Sequence, residues 1–195
     1  MDLGQFIFVL LMAFSLSACA GIRAFIPPLA ISILAATGHL TLAPQFTWMG
    51  NWEVVAIFAV ATVLELIADK YPGVDNVLDG AGLLIKPVMG ALLASSIITG
   101  IDPVLALCIG IIVGGGSAGL VHAGKAKLRL LSTGFTGGAG NPILSFLEDV
   151  LAIVWTSVGI WLPVLAAILV AIGLALLIRK LSSHFKAKPE EEVAV

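Results

Sequence analysis

Six apolar segments make up most of the chain and constrain its fold more than any motif does. They cover residues 4–37, 54–68, 82–100, 103–121, 143–160 and 162–178. A membrane-spanning helix needs about 20 apolar residues, because the hydrocarbon core of a bilayer is about 30 Å thick. Only 11% of the residues are charged, against about 25% in soluble domains. The sequence therefore predicts an all-α, polytopic transmembrane helical bundle of about six spans, with interrupted or re-entrant segments.

The first apolar segment is too long for one straight crossing, since its length as a helix would be about 50 Å. It contains Pro27 and Pro28, and proline lacks the amide donor that a helix interior needs. We predict one kinked span or two short pieces, and prefer the kinked span because it gives three spans in each half. The stretch "LSAC", ending at Cys19, is similar to a lipoprotein cleavage box. No Lys or Arg precedes Arg23 and the sequence stays apolar afterwards, so we expect a retained helix.

The distribution of Lys and Arg predicts the topology. Residues 179–188 hold four of the ten basic residues, and cytoplasmic loops carry an excess of positive charge. With this end in the cytoplasm, the connections near Lys70 and Lys86 and after residue 121 also face the cytoplasm, whereas the outer connections contain no Lys or Arg. We predict a multi-pass protein of the bacterial inner membrane with a cytoplasmic C-terminus. The side of the N-terminus depends on whether the first segment crosses once or twice.

The chain is predicted to form one transmembrane domain over residues 1–185. Residues 186–195 contain three consecutive glutamates and few apolar residues, a composition typical of a disordered tail. We expect this tail to be cytoplasmic. The sequence leaves open whether copies of the chain assemble into a homo-oligomer.

Carboxylates near the ends of two apolar segments are the strongest candidates for a functional site. Glu65 and Asp69 are four residues apart, so both lie on one helical face, and Lys70 follows. Ionisable residues in membrane segments usually face a bundle interior or water and mark ion or proton sites. Asp75 and Asp79 repeat the four-residue spacing. For these last two, a wet cytoplasmic loop around "YPGVDN" is an equally good interpretation.

A second acidic pair, Glu148 and Asp149, lies in the segment that begins at Asn141. Neighbours on a helix point about 100° apart, so only one of the two needs to face inward. We include both, with Asn141, among the candidate ion- or substrate-binding residues. The alternative is structural, because acidic side chains in a first helical turn stabilise the helix dipole.

Basic residues supply a candidate anion site. Lys125, Lys127 and Arg129 lie in a glycine-rich stretch, residues 113–142. Together with glycine-rich backbone amides they could hold an anion such as a lipid phosphate. They could equally be ordinary cytoplasmic charges. Arg23 joins the candidate binding residues because it follows sixteen nearly unbroken apolar residues.

Two interruptions resemble each other. "CAGIRAF" in the first segment and "HAGKAKL" after the fourth both lead from an Ala-Gly step into basic residues. Paired interruptions in two halves of a chain point to a transporter's binding site. The breaks at Gly21–Pro28 and Gly134–Asn141 would then line the path, and the two halves would form a weak inverted repeat.

Three strings carry a family resemblance over nearly the whole chain. They are "ELIADKYPGVDNVLD", "AGIRAFIPPLA" and "GGAGNPILSFLEDV". They resemble a bacterial integral-membrane family known only as domain of unknown function 4126, which implies a membrane protein and no particular activity. The shorter "ELIADK" is also similar to the Glu-x-Gly-Asp-Lys element of small cation exchangers for manganese and calcium. That likeness implies a metal at Glu65 and Asp69, although here the acids are four apart and the glycine is missing.

These features favour a small ion- or proton-coupled transporter or exchanger that moves a cation through intramembrane carboxylates. Glu65 and Asp69 would bind the ion, and Glu148 would contribute from the facing half. The alternatives are a carrier of a phosphate-bearing lipid or organic anion, and a membrane scaffold that transports nothing. No enzyme signature is present, so we expect no enzymatic activity, no cofactor and no nucleic-acid partner. The expected partners are the lipid bilayer and a small ion or lipid substrate.

Overall fold

The computed structural model describes residues 2–71, 74–137 and 139–186, with side chains left out at 75, 76 and 180–186. Within these ranges the chain is all-α and contains no strand, as predicted. The predicted tail lies outside the described residues from 187 onward. The helices are α1 (Leu3–Ala20), α2 (Ile26–Ala36), a 3-10 helix (Pro44–Gly50), α3 (Trp52–Ala68), α4 (Val74–Ile97), α5 (Pro103–Ile109), a π-helical turn (Gly110–Gly115), α6 (Gly116–Thr136), α7 (Asn141–Trp161) and α8 (Pro163–Lys186).

Four described helices are long and apolar enough to cross a membrane, and the bent pair formed by the 3-10 helix and α3 makes a fifth. The four are Leu3–Ala20, Val77–Ile97, Pro103–Thr136 and Asn141–Trp161. The apolar part of α8, Pro163–Arg179, is shorter, yet about 17 residues still suffice for a thin crossing. The prediction of about six spans is consistent with this arrangement, and the chain is a multi-pass membrane protein.

The distribution of side chains between surface and interior supports the membrane assignment. Large apolar residues such as Ile57, Leu84 and Ile112 are exposed, in numbers that a soluble monomer does not show. Small polar residues such as Ser17 and Ser95 are fully buried. Small residues at helix contacts allow close packing in a bilayer, where the apolar side chains face lipid instead of a core.

The first apolar segment divides into two helices, as the helix-break prediction requires. α1 ends at Ala20 and α2 begins at Ile26, with Pro27 and Pro28 in its first turn. Proline is tolerated there because the first amides of a helix have no intrahelical acceptor. The five residues between the helices therefore turn the chain and place Arg23 inside the bundle, where its side chain is 1% exposed.

Helix α4 begins earlier than the third apolar segment, and this corrects one interpretation. Asp79 belongs to α4 rather than to a wet loop, and its side chain is 15% exposed. Lys86, which we placed beside a cytoplasmic connection, lies in the middle of α4 and is buried. The hydropathy pattern concealed this because the first turns of α4, which contain Asp79, precede the apolar segment that begins at residue 82.

The glycine-rich stretch interrupts the helix less than expected. From Pro103 to Thr136 the chain is helical throughout, with a π-helical turn at Gly110–Gly115, and π turns often lie near functional sites. The break itself comes between Thr136 and Asn141, and Gly137 at its start has a positive φ of 60°. A left-handed glycine is a common helix terminator because it has no Cβ.

Candidate functional site

Four basic and four acidic side chains form one network of ion pairs, which we call the charged cluster. It comes from the break between α1 and α2, the end of α3, and helices α4, α6 and α7. Seven of its side chains are 15% exposed or less, and only Lys70, at 42%, is more accessible. Its members are Arg23, Asp69, Lys70, Asp79, Lys125, Arg129, Glu148 and Asp149. Their formal charges cancel, which lowers the cost of burying them.

Asp69 is the centre of the charged cluster. Arg129 binds it in a bidentate manner, with Nη1 at 2.5 Å from Oδ1 and Nη2 at 2.6 Å from Oδ2. Arg23 Nη1 lies 2.6 Å from Oδ2, and Ser145 Oγ donates to the same oxygen at 2.9 Å. Bidentate Arg–carboxylate pairs are among the strongest hydrogen-bonded contacts in proteins. Asp69 therefore holds α3, α6, α7 and the break after α1 together.

Glu148 and Asp149 both face inward, whereas the sequence required only one of them to do so. Glu148 accepts from Lys125 at 3.0 Å and from Arg129 at 2.9 Å. Asp149 pairs with Arg23 and, at 2.6 Å, with Lys70. Because neighbouring side chains diverge by about 100°, each can meet a different pair of cations. The helix-dipole interpretation is wrong, since both lie beyond the first turn of α7.

Glu65 performs a different task from Asp69, although both lie on one face of α3 as predicted. Its Oε1 accepts from the backbone N–H of Ala24 at 2.9 Å, and its Oε2 accepts from that of Phe25 at 3.2 Å. These amides precede α2, whose N-cap residue has no side-chain cap of its own. Glu65 thus satisfies backbone donors that a helix start leaves open.

A cavity of about 320 Å³ lies beside the charged cluster. Its charged wall consists of Arg23, Glu65, Asp69, Asp79, Lys86 and Lys125. The remaining wall is apolar and includes Phe25, Ala61, Leu64 and Ile85. Arg23 and Phe25, in the first break, thus line this space. Within the described lining, Glu148 and the second break, residues 134–141, do not contribute to it, so the predicted role of that break in lining the path is not supported here.

A larger groove of about 450 Å³ lies between α1, α6, α7 and α8. Its wall is almost entirely apolar, and Lys125 and Glu148 form its only charged part among the described residues. These two side chains are already paired with each other.

Besides Glu65, two predicted binding residues lie outside the charged cluster. Lys127 is half-buried on α6 and is not a member. Asn141 is buried at the start of α7, where its amide nitrogen donates to Thr133 Oγ1 at 3.1 Å. Lys125 and Arg129, by contrast, are buried and paired with carboxylates instead of being free for an anion. The anion site made of these basic residues stays a prediction that their pairing does not favour.

The metal predicted at Glu65 and Asp69 likewise gains no support from the geometry. Both oxygens of Asp69 already accept from guanidinium groups, so Glu65 would be left as the only carboxylate of the pair available to a metal. In the described part of the chain, no group of three or more His, Cys, Asp or Glu side chains is placed to hold a metal ion.

Three residues of the site were not predicted as members. Asp79 pairs with Lys125 and Arg129, Ser145 bridges Arg23 and Asp69, and Lys86 lines the cavity. A signal existed for Lys86, since a lysine inside an apolar segment is costly unless it has a partner. Ser145 carried no signal, because serines are common in membrane helices.

The ionisation of Asp69 should make stability depend on pH. Burial by itself raises the pKa of Asp69, but hydrogen bonds from Arg129 and the charges of Lys125 and Arg23 outweigh burial and hold the pKa below its ordinary value. Such a carboxyl stabilises the fold above its unfolded pKa, about 3.9 for Asp, and this contribution is lost as pH falls toward the folded pKa.

We therefore expect the free energy of unfolding in detergent to decline below about pH 4. The Asp69→Asn variant, already destabilised at neutral pH, should show a smaller further decline. Denaturant unfolding of both proteins between pH 3 and pH 7 measures this. Parallel pH curves for the two proteins would contradict the assignment of the effect to Asp69.

The comparisons with known proteins give one match. A family model described as "Domain of unknown function (DUF4126)" matches residues 10–183. No curated protein and no solved structure matches the chain. The matched range runs from within α1 to within α8 and so contains the whole charged cluster.

Proposed function

The chain belongs to the DUF4126 family, whose description assigns no activity, and we propose from its charged site that it is a small ion- or proton-coupled membrane carrier. The observation that carries the proposal is the 320 Å³ cavity, which places Glu65 and Lys86 on one wall. Ionisable residues inside a membrane domain are expensive, and they commonly mark the paths of ions, protons or substrates.

The pairing pattern separates Glu65 and Lys86 from the charged cluster. Every cluster member has an oppositely charged partner within 4 Å. Among the described side chains, neither Glu65 nor Lys86 forms such an ion pair. Glu65 accepts from two backbone amides, and Lys86 donates to a backbone carbonyl beside the side chain of Lys125. Two opposite charges without salt-bridge partners in one cavity are suited to meet a solute. Protonation of Glu65 would supply the coupling.

The charged cluster and the start of α2 would have different roles in the carrier. The cluster ties Arg23 of the break after α1 to α3 and α7, while Ala24 and Phe25, at the end of that break, form the cavity wall next to the start of α2. Discontinuous helices frequently frame the binding site of a carrier. Glu65 would therefore hold the start of α2 in one state and release it in another.

The proposed location is the inner membrane of a bacterium, with the C-terminus in the cytoplasm. The burial of Lys86, Lys125 and Arg129 in the bundle removes them as markers of topology. The remaining support for a cytoplasmic C-terminus comes from the basic end of α8, beginning at Arg179, and from the exposed Lys70, since positive charge favours the cytoplasmic side.

The proposal predicts that Glu65→Gln abolishes transport while the protein remains folded. Charge movement is measured on proteoliposomes adsorbed to a solid-supported membrane, with steps in protons, monovalent and divalent cations and small anions. We expect the evoked current to fall at least about tenfold, which corresponds to about 1.4 kcal/mol in the transport barrier. The matched control is Glu53→Gln, because Glu53 is an exposed carboxylate on the same helix.

Retained current in Glu65→Gln would reject the assignment of this carboxylate. A wild-type protein that is silent to every ion and solute would instead favour the scaffold alternative. A current evoked only by phosphate-bearing anions, and lost in Lys125→Gln but not in Glu65→Gln, would favour the anion carrier.

A further inference from the structure

We propose that the solute of the cavity is a small zwitterion, with one ammonium group held by Glu65 and one carboxylate held by Lys86. This inference rests on the proposed carrier function and names its substrate class. The two residues lie on different helices, α3 and α4, and face the same space of about 320 Å³.

Glu65 has acceptor capacity left for an ammonium group. An ionised carboxylate offers about four lone-pair sites, and the amides of Ala24 and Phe25 occupy two of them. Among the described residues no Lys or Arg lies within ion-pair distance of Glu65, whereas Asp69, one turn away on the same helix, has Arg23 and Arg129. Lys86 acts on Glu65 only from beyond ion-pair distance, so a positively charged solute group is the close partner that Glu65 lacks.

Lys86 has donor capacity left for a carboxylate. An ammonium carries three N–H donors, and one of them reaches the carbonyl oxygen of Ile22 at 3.1 Å. Lys125 approaches the same carbonyl at 3.4 Å but is also paired with Glu148. Within the described part of the chain, Lys86 is thus the buried basic residue of this wall that has no carboxylate partner.

The size and the apolar part of the cavity fit a compact organic solute. Its volume of about 320 Å³ lies at the lower end of the range of small-molecule sites, about 300–1,000 Å³, which suits a small amino acid. Phe25, Leu64 and Ile85 would contact its carbon atoms. Sites of this kind combine an apolar lining with a few placed polar groups.

Charge matching explains why a zwitterion is favoured over a simple ion. A cation alone would pair with Glu65 and bring no partner to Lys86, and an anion alone would do the reverse. A buried charge without a partner is costly. A solute that lacks either the ammonium or the carboxylate group should therefore bind at least about tenfold more weakly, which corresponds to about 1.4 kcal/mol. A solute that carries both groups pairs with Glu65 and with Lys86 and adds no net charge to the cavity.

Equilibrium binding to the full-length chain in detergent tests the proposal by isothermal titration calorimetry. The probes are glycine, β-alanine and 4-aminobutyrate, with butylammonium and butyrate as singly charged controls of similar size. We expect at least one of the three amino acids to bind at least tenfold more tightly than either control. Glu65→Gln and Lys86→Gln should each remove this preference, and Arg179→Gln, at an exposed basic position, should leave it unchanged.

A second variant keeps the test decisive if the charge substitutions fail to fold. Ala61→Leu narrows the cavity without altering any charge, and it should weaken zwitterion binding at least tenfold. Equal affinity for a control and for the best amino acid, absence of binding by all three amino acids, or unaltered affinity in folded Ala61→Leu would overturn the inference. If binding fails in one of these ways but ion-evoked currents are still measured, the proposed carrier function is retained and only the zwitterionic substrate is rejected.

Discussion

Replacing Asp69 with Asn is expected to destabilise the protein by about 3–5 kcal/mol, the usual effect of removing one partner of a buried ion pair. The loss is large because Arg23 and Arg129 both bind this carboxylate and are 1% and 3% exposed. Asn has one acceptor oxygen instead of two and no charge, so two guanidinium groups lose their principal partner. Glu148 and Asp149 remain, but they also serve Lys125 and Lys70.

Unfolding in mixed micelles, followed by tryptophan fluorescence, measures this effect. Glu53→Gln is again the matched control, since Glu53 is exposed and should change stability by no more than about 0.5 kcal/mol. The double variant Asp69→Asn, Arg129→Gln should lose less than the sum of the single losses, because the two residues are coupled. Additive losses, or an Asp69→Asn variant as stable as wild type, would show that the charged cluster does not hold the bundle together.

The second large effect is expected at the contact between α4 and the π-helical turn. A Cβ atom added at Gly90 would lie 2.5 Å from the carbonyl oxygen of Gly114 and 2.6 Å from the Cβ of Ala118. A Cβ added at Gly114 would clash with the carbonyl oxygen of Gly90 in turn. These neighbours are backbone and a small rigid side chain, so the helices must separate, and overpacking of this kind costs about 1–3 kcal/mol.

Gly90→Ala and Gly114→Ala should therefore each lower the free energy of unfolding in mixed micelles. Gly116→Ala is the matched control, because a Cβ there meets nothing within 4 Å. In that position alanine should be neutral or stabilise by up to about 1 kcal/mol, since it favours the helix more than glycine does. Equal effects at Gly90 and Gly116 would contradict the close approach of the two helices.

Part of the candidate site follows from local sequence rules. The four-residue spacing of Glu65 and Asp69 places both on one face, and both line the cavity. Pro27 and Pro28 mark a helix start, and the break that precedes them carries Arg23 to the interior. Such rules act over a few residues, where backbone geometry determines the outcome.

These local rules do not predict which charged residues form ion pairs with each other. Arg23 meets Asp69 and Asp149, which are 46 and 126 residues further along the chain. A helical pattern indicates which face a side chain occupies but not which helix packs against that face. For this reason the sequence alone predicts cytoplasmic charges or an anion site at Lys125 and Arg129, although both are paired with buried carboxylates.

The sequence by itself determined that this chain is an all-α membrane protein, because the length and hydropathy of a helix and the cost of exposed backbone in lipid leave few other solutions. Only the tertiary structure decided the roles of the charged residues. Asp69 became the centre of a neutral cluster, while Glu65 and Lys86 faced a cavity without ionic partners among the described side chains. The reason is physical: burying a charge is favourable only beside its partner, and packing between distant helices selects that partner.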